Sequence, residues 1–145
     1  RFKDLYLSGG VYLGGTGSAN KLDDYEEGVW TGAITLGTNL TGTASLDYPK
    51  YVKVGNQVHL YGHITGLSIT SASTECSLVV TVPFSSAINN SPMGGSVFWS
   101  RGRSNGIVAD NTSSNSTACF IALPSQLCTD TGSTSLFFSI YYQTS

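Results

Sequence analysis

Charge is scarce in this sequence. Asp, Glu, Lys and Arg make up 11% of it, against roughly a quarter of an ordinary soluble domain. The 7 basic and 9 acidic residues leave a formal net charge of −2, which offers nucleic acid no basic field. No apolar run approaches the about 18 residues that a membrane-spanning helix needs, so neither nucleic acid nor membrane insertion is supported as a partner. Signs of metal and cofactor sites are missing too. The 3 cysteines, Cys76, Cys119 and Cys128, form no C-x-x-C pair of the kind zinc or dithiol chemistry uses. There is no D-x-D-x-D-G calcium loop, and the glycine-rich stretch 14–17 lacks the lysine and helix of a phosphate-binding loop. His59 and His63 stand roughly 13 Å apart along an extended strand, too far to share one ion within a chain.

Catalytic pairs are equally absent. Asp23, Asp24, Glu26 and Glu27 fall in one segment, while Asp4, Asp47, Glu75, Asp110 and Asp130 are scattered. A glycosidase needs two carboxylates held across a scissile bond. A local cluster without such a partner reads as a solvated collar. The expectation is a protein that is not an enzyme and carries no cofactor. Three cysteines cannot all pair within one chain, and Cys76 alternates with Leu78 and Val80 on an apolar strand face. Buried free thiols in a chain folded in a reducing cytoplasm are therefore expected.

What is present is glycine, hydroxyl and tyrosine: 17 Gly, 37 Ser plus Thr, and 8 Tyr. No stretch carries helical periodicity, and short alternating runs recur with turn signals between them. Residues 29–36 alternate Trp30, Gly32, Ile34 and Leu36 on one face. Tyr51–Val54, the turn Gly55-Asn56 and Val58–Ile64 read as a hairpin, with Val58, Leu60, Gly62 and Ile64 on one side and His59, Tyr61 and His63 on the other. Tyr48-Pro49 is read as a break before that hairpin, because proline cannot donate to a ladder. Short runs at 44–46 and 67–69, then 75–82, 93–100, 107–110, 118–123 and 135–142, complete about nine strands. That spacing predicts an all-β protein, an antiparallel β-sandwich or jelly roll spanning 23–145.

Residues 1–22 differ. Leu5 and Leu7 alternate with Tyr6, and Val11 and Leu13 with Tyr12, in two very short strands separated by glycines. Such strands cannot bury their own apolar faces. Identical chains can supply the missing partners, and a flexible linker to an upstream domain is the plainer alternative. The final strand sets Leu136, Phe138, Ile140 and Tyr142 against Phe137 and Tyr141, apolar on both sides, which calls for cover on the second side. Leu5, Tyr6, Leu7, Tyr12, His59, His63, Phe137 and Tyr141 are thus the candidate contacts between copies. The richest set of aromatic and guanidinium groups is Phe98 to Asn105. Trp99, Arg101, Arg103 and Asn105 there suit stacking on sugar faces and hydrogen bonds to hydroxyls. The competing reading makes Trp99 a core residue and the arginines rim ion pairs.

The ordered set Leu22-Asp23-Asp24-Tyr25-Glu26-Glu27-Gly28-Val29-Trp30, then Tyr51-Val52-Lys53-Val54-Gly55-Asn56-Gln57-Val58, then Val82-Pro83-Phe84 resembles a module near the C-terminus of many tailed-phage fibre and spike proteins. The resemblance covers residues 1–84. It implies a homotrimer with an intertwined N-terminal β stem over 1–22, made in the host cytoplasm and carried on the virion. Its partner would be a bacterial surface glycan or protein receptor. A purely structural trimeric cap, and a carbohydrate-binding module of a secreted bacterial protein, are the alternatives.

Overall fold

The computed structural model describes residues 3–22, 24–71, 76–86, 93–99, 104–110, 118–123 and 131–144. Among these the chain is all-β and every ladder is antiparallel; the one helical element is a 3₁₀ turn at Ser18–Asn20. Strands β1 (Val11–Tyr12) and β2 (Lys21–Leu22) form a small separate sheet. The rest are β3 (Tyr25–Val29), β4 (Ile34–Leu36), β5 (Leu40–Val54), β6 (Gln57–Ile69), β7 (Cys76–Thr81), β8 (Met93–Trp99), β9 (Ser104–Asp110), β10 (Ala118–Leu123) and β11 (Gly132–Gln143). They lie in one sheet in the order β3-β5-β6-β11-β8-β9-β10-β7-β4. Strands from both ends of this order feed a single core: Val58, Leu60, Ile64, Leu136, Phe138 and Ile140 meet Leu78, Val80 and Val82 in one buried cluster. The sheet therefore curls so that one face is inside and the other outside.

Alternation holds where the strands are regular. On β11 the even positions 134–144 are buried and Phe137 and Tyr141 are exposed, as the sequence pattern predicts. The Gly55-Asn56 hairpin also forms, with Val54 opposite Gln57. Four expectations are corrected. The segment Tyr25–Val29 is not a collar but a strand paired to β5, and residues 30–33 separate it from β4. Residues 4–7 form no strand; β1 finds its partner in β2 of the same chain. The proposed break at Tyr48-Pro49 is a bulge inside the 15-residue β5, where two residues stand opposite Gly62 alone. The bulge frees proline from donating and throws Tyr48 outward at φ 53. Leu67–Ile69 is not a separate strand but the end of β6, brought back to the core by a second bulge at Gly66.

Cysteine is the further correction. Cys76 is fully buried, as read, but it is disulfide-bonded, so it is not a free thiol. Its partner's side chain lies outside the described residues. The ladder excludes Cys119, which stands opposite Val80, roughly 13 Å along from Cys76 and about twice the span that a disulfide bridges.

Candidate functional site

Two constellations stand out among the described side chains. The first gathers the motif residues. Asp24, from the segment before β3, pairs with Lys53 at 2.5 Å, and the Tyr51 hydroxyl donates to the Glu26 carboxylate. That hydrogen bond, with burial and the carboxylate's charge behind it, raises the Tyr51 phenol above its ordinary pKa of 10, so the proton stays in place through the neutral range. Phe84 packs edge-on against Tyr51 with centroids 5.2 Å apart and lies under the Lys53 ammonium at 5.9 Å. Gly28 leaves the space the Tyr51 ring occupies; a Cβ there would sit 3.1 Å from it. The D-Y-E-E-G, Y-x-K-x-G-N-x-V and V-P-F elements thus meet as one clasp that fastens β3 to β5 and ties down the chain after β7.

The clasp's strength comes from packing. The Asp24 side chain is half exposed although Lys53 is largely buried, and a pair open to water on one side contributes on the order of 1 kcal/mol. Truncating a half-buried aromatic ring costs about 2 kcal/mol. Urea unfolding should therefore show Phe84→Ala losing at least twice the stability that Lys53→Met loses. Equal losses would assign the clasp to charge instead.

The second constellation is the outer face of β5, β6, β11 and β8. Opposite residues across the β6–β11 ladder stack as planes: His59 on Tyr141 at 4.1 Å and 10°, and His63 on Phe137 at 4.0 Å and 6°. Phe137 in turn stands opposite Phe98. The His59 Nε2 and Ser139 Oγ are hydrogen-bonded at 2.8 Å, and Tyr61 leans on His59 at 5.6 Å. Exposure stays high: Tyr48 80%, Phe98 49%, Phe137 47% and Tyr141 54%. With Tyr61, these rings leave on the order of 500 Å² of aromatic surface open. That is near the top of what a monomer usually presents and over half of the about 800 Å² that each partner gives to a stable interface.

Between these strands the Tyr48 bulge opens a hollow of about 370 Å³ lined by Tyr48, Lys50, Tyr61, Gly62, His63, Phe137 and Phe138. His63 Nε2 is enclosed beside it without a hydrogen-bond partner. Among the described residues no group of three His, Cys, Asp or Glu side chains is placed to hold a metal ion, and no helix is long and apolar enough to cross a membrane.

Compared with protein-family models, with curated proteins and with solved structures, the chain finds no match. The roles of its residues are therefore read from geometry. Of the candidate contacts between copies, His59, His63, Phe137 and Tyr141 are brought together on one face by the β6–β11 ladder. Leu5, Tyr6, Leu7 and Tyr12 are exposed on the N-terminal segment and form a separate group. Arg101 and Arg103 lie outside the described residues. Trp99 stands in β8 with its backbone opposite Leu136, and Asn105 in β9 opposite Val97; their side chains are outside the description. Sequence reading missed Tyr48, Tyr61 and Lys50. The signal was Tyr48-Pro49 inside an otherwise continuous strand, which marks a bulge as readily as a break.

Burial lowers the pKa of His59 below its ordinary 6.5. The unfolded chain then takes up this proton first as pH falls, so the stability contributed by the neutral ring is complete above about 6.5 and drains away as pH drops toward the lower folded value. Urea midpoints at pH 7.5 and 5.5 should separate less in His59→Gln than in the parent. An unchanged separation would remove His59 from the acid response.

Proposed function

We propose that this chain is the end domain of a homotrimeric virion fibre or spike of the tailed-phage type, which attaches to a bacterial surface receptor, a glycan by preference. The observation that carries the reading is the outer aromatic face: stacked, half-exposed rings on a domain that is otherwise poor in charge. Such a face either meets copies of itself or receives a ligand. Exposed Leu5, Tyr6 and Leu7 support assembly, since they have no cover within the described chain. The shared core fed from both ends of the sheet supports a β-sandwich or jelly-roll head on residues 23–145, with 1–22 as a stem. The clasp supports the motif resemblance by giving each of its elements a joint structural role.

The disulfide at Cys76 favours a second reading, a carbohydrate-binding module of a secreted protein, because disulfides persist in oxidising surroundings. A virion protein meets such surroundings after release from its host. Two measurements separate the readings. Light scattering should give three times the 15.3 kDa chain mass, and fluorescently labelled protein should decorate host bacteria. A single-chain mass with retained sugar binding favours the secreted module. A trimer that decorates no cells favours a structural cap.

A further inference from the structure

We infer that the Tyr48 hollow is a binding site for a sugar ring bearing a carboxylate, such as a uronic acid residue of a surface polysaccharide. This rests on the attachment reading and names its ligand class. The hollow's volume of about 370 Å³ lies at the small end of the range for small-molecule sites. Its floor is Gly62, which has no side chain, with the buried Phe138 among the lining residues. Phe137, Tyr48 and Tyr61 supply aromatic walls, which suit the C–H face of a pyranose, and the two phenol hydroxyls suit its ring hydroxyls.

Charge selects an acid. Lys50 is the charged lining residue, no acid lines the hollow, and Lys50 makes no ion pair among the described residues. Asp47, on the far side of the bulge, is already engaged by the Ser45 and Thr65 hydroxyls. Glu27, which lines the adjoining hollow with Lys50, accepts from the Tyr25 hydroxyl, so a carboxylate at the rim meets an ammonium that has no ion pair of its own. Inside, the unpartnered His63 Nε2 gains a hydrogen bond if a sugar hydroxyl reaches it. An aromatic acid would use the walls and Lys50 but would leave both phenols and His63 without partners. That difference favours the sugar.

The test uses the whole 145-residue chain in its native assembly, with Tyr and His rings isotopically labelled and titrated with glucuronic acid, methyl glucoside and benzoate. Glucuronic acid should give saturable shifts at Tyr48, Tyr61 and His63 in the millimolar range. Lys50→Gln should weaken it about tenfold, the loss of one charge-assisted contact, while leaving methyl glucoside unchanged. Tyr48→Ala should weaken both sugars. The site is overturned if these rings do not respond at saturating sugar, if benzoate binds more tightly than glucuronic acid, or if Lys50→Gln leaves glucuronic acid unaffected. It is also overturned if the rings shift only on dilution of the assembly, because a sister copy then occupies the hollow. Cell decoration separates this inference from the reading beneath it. Decoration unaltered in Lys50→Gln and Tyr48→Ala sinks the hollow and leaves attachment standing, whereas no decoration by the parent protein sinks attachment itself.

Discussion

Where copies meet on the outer face, which would close the hollow walled by Phe137 to a sugar, replacing Phe137 and Tyr141 together by lysine is expected to reduce the assembly to single chains of 15.3 kDa with the fold intact. Both rings are about half exposed and stack outward on His63 and His59. Their removal therefore leaves the core cluster of Leu136, Phe138, Ile140 and Tyr142 untouched. In a contact between copies the loss is large. Each deleted ring forfeits about 1.5–3 kcal/mol of burial, and each lysine brings a charge that must be desolvated against a neighbouring apolar face. A combined penalty above about 4 kcal/mol weakens association by about a thousandfold, enough to dissociate a micromolar assembly. Sedimentation velocity on parent and variant, with circular dichroism as the fold control, reads the effect directly. A variant that keeps the parent's mass removes the outer face as the contact. A parent that already sediments as one chain removes the assembly.

Gly66→Ala should be among the most damaging single substitutions outside the core. Gly66 has φ 71, and a Cβ there would lie 2.1 Å from the Thr43 carbonyl oxygen. That carbonyl belongs to β5, so the clash is backbone against backbone and no rotamer relieves it. Gly42, in the facing strand, makes the reciprocal approach at φ 117, 2.2 Å from the Gly66 oxygen. Left-handed strain of about 1–3 kcal/mol adds to overpacking of about 1–3 kcal/mol. Thermal unfolding should fall by about 10 °C or more for a chain of this size. Gly9→Ala, where nothing lies within 4 Å of the added Cβ, serves as the neutral control. Equal melting temperatures for the two would mean that the bulge relaxes freely.

The reason this glycine matters is register. β6 buries Val58, Leu60 and Ile64, then Leu67 and Ile69; the parity changes across Thr65-Gly66. One inserted residue moves the whole end of the strand to the opposite face, and the bulge is what returns it to the core. The same geometry at Tyr48-Pro49 keeps Asp47 and Lys50 both facing out and opens the hollow between them. Neither bulge was legible beforehand. A proline in a strand pattern marks a break and a bulge alike, and the opposing strand decides which. Residues 25–29 were misread for a related reason: their acids look solvated in isolation, and only the partners Tyr51 and Lys53 across the ladder make the segment a strand.

By itself the sequence determined the class and the sidedness. Low charge, abundant Tyr, Ser, Thr and Gly, and alternation of period two announce an all-β chain. They also assign Leu60, Ile64, Leu78, Val80, Phe138 and Ile140 inward, and His59, His63, Phe137 and Tyr141 outward, because the pleat is a local property of each strand. Tertiary structure alone decided which strands are neighbours beyond the Gly55-Asn56 hairpin, where two bulges shift the register, that the motif residues close a clasp, and that Cys76 is bonded. Those outcomes depend on groups brought together from distant parts of the chain, and no local pattern carries the energy of a contact whose other half lies tens of residues away.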